Sequence, residues 1–250
     1  MAPIRKGRNN LRILALESSA IADSVCVLED EKILSEFYMN TKQTHSQTLL
    51  PMAKTAMEYA GLSVKDLDLL AVSAGPGSFT GVRIGVACVK GLAFPQNTPC
   101  CGVSTLEAMA MNLRQQKALV CACMDARCGQ VYNALFLTDG ETVQRVTEDR
   151  ALSIEELAKE LPQRLQEAGK PLILVGDGAK LCFDSPFFEV LPAQLAPEHM
   201  RMQRASGVAE AARRAFEKGE AVAPEQLAPI YLRLPQAQRE LKKRLQKQQA

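Results

Sequence analysis

The segment from Leu69 to Gly85 constrains this chain most. An apolar run, Leu69-Leu70-Ala71-Val72-Ser73-Ala74, passes through Gly75-Pro76-Gly77-Ser78 into Phe79-Thr80-Gly81-Val82-Arg83-Ile84-Gly85. A short run rich in leucine and valine reads as a strand buried on both faces, and glycine with proline at its end forces a sharp turn into a helix. Backbone N–H groups at a helix start are an anion cradle in principle. This loop, however, lacks the lysine of a P-loop. Its third glycine comes one residue late for a dinucleotide fingerprint, and cysteines stand where that motif needs an acid. A structural turn is the favoured reading and direct phosphate binding the alternative.

Gly77, Gly81 and Gly85 recur every fourth residue, so one stripe of the helix carries no side chains. Glycine inside a helix costs about 1 kcal/mol relative to alanine, and three in register imply close backbone approach to another element. A sheet of the same chain and a helix of a partner chain both satisfy that requirement. Arg83 and Lys90 exclude a membrane helix.

At 250 residues and 47% hydrophobic content the chain can bury a real core in one large domain or two small ones. Its net charge of +2 hides an uneven distribution. Arg5, Lys6 and Arg8 make the start basic, and Arg239, Lys242, Lys243, Arg244 and Lys247 make the end basic, which leaves the body acidic overall. A broad nucleic-acid face on the folded part is therefore disfavoured, and any polyanion contact rests on the two ends. No apolar run approaches the roughly 20 residues of a spanning helix, and no signal-peptide core follows the basic start. The expectation is a cytoplasmic protein without membrane contact. Eight cysteines fit as small buried hydrophobes, because none of their spacings makes a C-x-x-C pair.

Strands are predicted over 11–18, 23–29 and 32–39, the last two joined by the Glu29-Asp30-Glu31-Lys32 turn. A helix follows near 46–60 with an apolar stripe of Leu49, Ala53, Ala56, Met57 and Ala60, to which Met52 and Tyr59 add a second. Pro51 sits in its first turn if Thr48 caps it; otherwise the helix starts near His45. A strand over 68–74, the glycine helix over 79–94 and a strand over 99–103 complete a first β/α set. A second set has strands 118–124 and 130–137 around the Asp125-Ala126-Arg127-Cys128-Gly129 turn. It continues with a helix over 153–168 opened by a Ser153/Glu156 capping box, a strand over 172–175 and a helix near 206–218. Two successive mixed sets suggest a duplicated α/β layout with two lobes. The expected divisions are a basic arm over 1–10, an N-terminal lobe over 11–105, a C-terminal lobe over 106–220, and a C-terminal segment with basic tail over 221–250.

Histidine chemistry would need His45 or His199, the only two present. Glu17-Ser18-Ser19 at the end of the first strand faces the cleft between lobes in this layout, and a strand-end turn explains it equally well. Asp125 and Arg127 suit an ion pair or the recognition of an anion or partner. With Gly176, Asp177 and Gly178 after the strand over 172–175, these residues are the candidate ligand cleft. No nucleophile is paired with a base, so no catalytic residue and no metal-ligand set is assigned.

Five blocks together closely resemble the TsaB family, formerly YeaZ: Ile13-Leu14-Ala15-Leu16-Glu17-Ser18-Ser19; Thr44-His45-Ser46-Gln47 with Leu49-Leu50-Pro51; Ser73 through Arg83; Asp125-Ala126-Arg127-Cys128-Gly129-Gln130-Val131-Tyr132; and Pro229-Ile230-Tyr231-Leu232-Arg233. The resemblance spans about residues 11–234. It implies the duplicated actin-like, sugar-kinase-like fold, with mixed sheets flanked by helices. It further implies a non-catalytic scaffold that binds TsaD, with TsaE, for threonylcarbamoylation of adenosine 37 in ANN-decoding tRNAs. tRNA would be met through the complex, a homodimer would form when the chain is alone, and ATP and metal would sit on partner subunits, with no cofactor here. TsaD carries a His-x-x-x-His metal motif where this chain has Thr105 and Met109, and neither side chain suits such a metal. Glu17-Ser18-Ser19 also departs from the Asp-x-Gly phosphate turn of the superfamily, which weakens the alternative of an autonomous ATPase or kinase. A peptidase activity, suggested by older naming, has no nucleophile or metal set to support it. The resemblance assigns the glycine stripe to the partner seam, with Leu49, Met52, Ala53, Ala56, Met57, Gly77, Gly81, Gly85 and Val89 as its contacts.

Overall fold

The computed structural model describes residues 10–41 and 43–233, so the basic arm up to Asn9 and the tail beyond Arg233 lie outside the described residues. The chain opens with a meander of β1 (Arg12–Glu17), β2 (Asp23–Glu29) and β3 (Lys32–Met39), followed by α1 (His45–Tyr59), β4 (Leu69–Gly75), α2 (Phe79–Ala93) and β5 (Cys100–Ser104). These strands form one sheet in the order β3-β2-β1-β4-β5, antiparallel across β1, β2 and β3 and parallel across β1, β4 and β5.

The second half begins with α3 (Thr105–Met111) and continues with β6 (Leu119–Arg127), β7 (Gln130–Thr138), β8 (Val143–Arg145), β9 (Arg150–Ser153) and α4 (Ile154–Ala168). After these come β10 (Leu172–Val175), α5 (Ala179–Phe183), β11 (Ala193–Leu195), α6 (Glu198–Arg201) and α7 (Ala205–Glu217). Its sheet runs β11-β10-β6-β7-β8, with β9 also on β7. Read from β8, the order and strand sense repeat those of the first sheet, with β6 and β7 antiparallel and β6, β10 and β11 parallel. The predicted duplicated α/β layout is therefore the observed one. Among the described residues no helix is long and apolar enough to cross a membrane.

Strand alternation sorts the core into layers. Leu14, Leu16, Val25 and Val27 face α1 and α2, whereas Ile13, Ala15, Cys26 and Leu28 face α3 and α7. In the second sheet Leu119, Cys121 and Cys123 face α4 and α5, while Val120, Ala122 and Met124 face α3. Chain order groups α7 with the second lobe, yet it returns to cover the first sheet. The Ser153/Glu156 capping box forms in both directions, at 2.8 and 3.1 Å. Helix α1 begins at His45, so Pro51 lies inside it and not in its first turn.

The glycine stripe of α2 is spent within the chain. A Cβ added at Gly77 would stand 2.5 Å from the carbonyl oxygen of Ser19, and one at Gly81 would stand 2.0 Å from that of Ser18. At Gly85 it would meet Ser18 Oγ at 2.6 Å and Val72 at 3.0 Å. The Ser18 hydroxyl donates to Gly81 O at 2.9 Å, and the Ser78 amide donates to Ser19 O at 2.7 Å. This corrects the seam expected from sequence: close approach was required, and the turn after β1 supplies it. Leu49, Ala53, Ala56, Met57 and Val89 are likewise buried in the chain's own core.

Gly81→Ala is expected to destabilise by about 1–3 kcal/mol or more, lowering Tm by roughly 2–12 °C. Gly91→Ala, at a helical position where an added Cβ meets nothing, is expected to stabilise by about 0.4–1 kcal/mol. Thermal melts of the two variants check the contrast, and equal melting would refute the packing account.

Candidate functional site

In a parallel sheet the carboxyl ends of the strands open where connections diverge, and ligand crevices form there. Here the ends of β1, β4 and β6 and the turn after β10 border a cleft of about 420 Å³. Ser19, Pro76, Gly77, Ser78 and Phe79 form one wall, Met124, Asp125, Arg127, Tyr132 and Asp177 the other.

The last of the described segments, Ile230–Arg233, crosses this cleft and ties its walls together. The Ile230 amide donates to Ala74 O at 2.7 Å, the Tyr231 ring lies 4.9 Å from that of Phe79, and the Arg233 guanidinium donates to Ala126 O at 2.7 Å. Gly75 is required at the crossing: its φ is +124°, and a Cβ there would stand 2.3 Å from Ile230 O.

Of the residues expected in the cleft, Ser19, Asp125, Arg127 and Asp177 line it. Glu17 and Ser18 lie behind, fully buried. The Glu17 carboxylate accepts from the Ser19 amide at 2.6 Å and from the Ser73 hydroxyl. Burial raises the Glu17 pKa, partly offset by those bonds and by the His45 charge. Gly176 and Gly178 are packing residues, since a Cβ on either would run into the backbone of Cys123 to Asp125. Asp125 accepts from the Arg127 amide at 2.7 Å and pairs with its guanidinium at 3.1 Å, so the expected ion pair is present. Asp177 accepts from Gln203 Nε2 at 2.6 Å, and burial, with the nearby Asp125 charge acting in the same direction, raises its pKa.

Phe79, Tyr132, Ile230, Tyr231 and Arg233 were missed as cleft residues. The only sequence signal for the last three was the Pro229–Arg233 block, which has no periodicity to place it. A larger recess, about 560 Å³, lies elsewhere, between β5, α3 and α7. It gathers none of the residues expected in the cleft.

Two sheets of one topology, with a cleft at their strand ends, define a protein of the duplicated actin-like, sugar-kinase-like class. Residues 32–241 match the family model of TsaD, described as tRNA N6-adenosine threonylcarbamoyltransferase. The tRNA threonylcarbamoyladenosine biosynthesis protein TsaB of Escherichia coli K12 is 33% identical over 225 residues, covering 89% of this chain and 95% of that protein. Its Bacillus subtilis namesake is 30% identical over 171 residues, 68% of this chain and 73% of that protein. The structure of YeaZ from Pseudomonas aeruginosa superposes with a TM-score of 0.76 at 29% identity, covering 89% of this chain and all of that one. The chain belongs to the TsaB family.

His45, at the start of α1, braces the cleft from behind. Its Nε2 lies 2.7 Å from Ala20 O and its Nδ1 3.7 Å from Asp23 Oδ2. A doubly protonated ring offers each acceptor a donor, so Asp23 first and Ala20 O after it raise the pKa above 6.5 despite partial burial. This interaction stabilises the fold fully below the unfolded-state value of about 6.5 and is lost as pH rises through the folded value. An NMR titration is expected to place His45 above 6.5. His45→Gln should flatten the stability profile over that window, and a value at or below 6.5 would contradict the geometry.

Proposed function

We propose that this chain is a non-catalytic scaffold subunit that binds TsaD, with TsaE, in the threonylcarbamoylation of adenosine 37 of ANN-decoding tRNAs. The observation that carries this reading is the relationship to TsaB proteins over most of the chain, combined with the residues at the two positions where TsaD places metal-binding histidines. Thr105 opens α3 and Met109 lies on its buried face with its sulfur against Gly176, both fully buried. A hydroxyl and a thioether are poor ligands for a hard or borderline divalent ion, so ATP and metal are assigned to partner subunits. In this reading the protein works in the cytoplasm and meets tRNA through the complex.

Because the stripe of α2 is consumed internally, the partner surface in this reading is the opposite face of the α1/α2 pair. Leu50 and Tyr59 on α1 and Phe94 just after α2 are exposed, Tyr59 by 79% and stacked on Phe37 of β3, and Met52, Ile84 and Leu92 are partly exposed. Exposed large apolar side chains on adjacent helices suit helix–helix docking, and the same face would join two copies when the chain is alone.

Nucleoside mass spectrometry tests the role: tRNA incubated with TsaD, TsaE, the carbamoyl-adenylate-forming enzyme and substrates should gain threonylcarbamoyladenosine only when this chain is added. Equal yields without it, or nucleotide turnover by the chain alone, would favour an autonomous ATPase or kinase. Tyr59→Ala is expected to weaken TsaD binding roughly 5- to 30-fold by calorimetry while leaving Tm unchanged.

A further inference from the structure

Buried polar side-chain atoms without a protein partner are rare, and each calls for an explanation. Among the described residues, Asp68 Oδ1, Gln96 Oε1 and Thr98 Oγ1 are three such atoms, and their residues line one cavity of about 90 Å³. It lies below the amino ends of β4 and β5, at the opposite end of the sheet from the cleft, and is closed by Leu67, Pro99 and Phe216. Asp68 is 6% exposed and Thr98 2%.

The surrounding backbone holds these groups in place. The Asp68 amide donates to Arg12 O at 2.9 Å, and its Oδ2 accepts from the Arg12 amide at 3.0 Å. The Thr98 amide donates to Ala93 O at 3.1 Å, and its carbonyl accepts from Cys100 Sγ at 3.5 Å. Gln96 ends the single 3-10 turn that follows α2, and Asn97 reverses the chain in the left-handed region, with φ 48°.

An ionised carboxylate oxygen and an amide oxygen only accept, and a hydroxyl can accept. Two acceptor-only oxygens, one of them a carboxylate's, and a hydroxyl able to accept surround one small cavity, a set that suits a cation at the centre. Hard cations take oxygen ligands, and the charge of the ligand set tunes how tightly an ion is held. One carboxylate with two neutral oxygens balances a single positive charge. No group of three His, Cys, Asp or Glu side chains is placed to hold a metal among the described residues. A divalent site of the usual acidic kind is therefore not what this cavity offers. We propose that Asp68, Gln96 and Thr98 bind a monovalent metal ion, Na⁺ or K⁺, which pins the starts of β4 and β5 to the turn after α2. The cavity is large enough for the ion and a water ligand.

Thermal melts of the full chain in NaCl, KCl and choline chloride at equal ionic strength test the site, with ²³Na line broadening as a direct readout. At a salt concentration ten times the Kd, the metal salts are expected to raise Tm by about 3–6 °C over choline. Asp68→Asn keeps an acceptor for the Arg12 amide but removes the charge, and Thr98→Val keeps the shape but removes a ligand. Each should abolish both the Tm increment and the broadening. Equal melting in all three salts would overturn the proposal in favour of a water-filled cavity. So would an increment that survives both substitutions, or one produced only by Ca²⁺ or Mg²⁺. An increment that appears only once residues 1–9 are deleted would overturn it too, by assigning the cavity in the full chain to a basic side chain of that arm.

Discussion

The approach of α2 to the turn after β1 is the contact on which the rest of the structure depends. With Gly77 and Gly81 lacking Cβ atoms, the helix backbone settles on the carbonyl oxygens of Ser18 and Ser19, and the Ser78 amide and Ser18 hydroxyl bond across the gap. That contact fixes where β4 ends relative to β1, and so sets one wall of the cleft. It also decides how α2 is rolled: its glycine stripe faces inward, which leaves Arg83 exposed and Ile84 half-buried at the edge of the core.

The cleft is shaped more by packing than by reactive groups. Glu17 is sequestered in bonds to Ser19 and Ser73, and Gly176 and Gly178 serve the close passage of the β10 turn over β6. What remains open is a mixed lining, with the Asp125–Arg127 ion pair, Asp177 and Arg233, and with the Phe79/Tyr231 pair at the crossing segment. Ile230–Arg233 bonds to both lobes and so ties the two halves together across the cleft. The opposite end of the first sheet has its own polar cluster around Asp68, so the two ends of β4 are anchored differently: backbone to backbone above, side-chain oxygens about a cavity below.

Much of the architecture was legible in the sequence because it is encoded locally. Alternation gave the strands from Arg12 to Met39 and from Leu119 to Thr138, and Ser153 with Glu156 marked the start of α4. Short elements were not legible: α3, β8, β9, α5, β11 and α6 span too few residues to show a period. In the cleft, Ser19, Asp125, Arg127 and Asp177 were found because they stand at strand ends or turns. The Ile230–Arg233 crossing was not, because its position rests on three contacts with residues more than 100 positions away in the chain.

The sequence by itself determined that two mixed sheets would form, and that the glycine helix would meet another backbone at close range. The identity of that backbone lay beyond it, since a neighbouring strand turn and a partner helix demand the same missing Cβ atoms. The return of α7 to the first sheet was equally hidden, because its apolar stripe of Ala205, Val208, Ala209 and Ala212 would bury as well against either sheet. Tertiary structure decided both: burial rewards any complementary apolar face, and only the assembled chain shows which face is within reach.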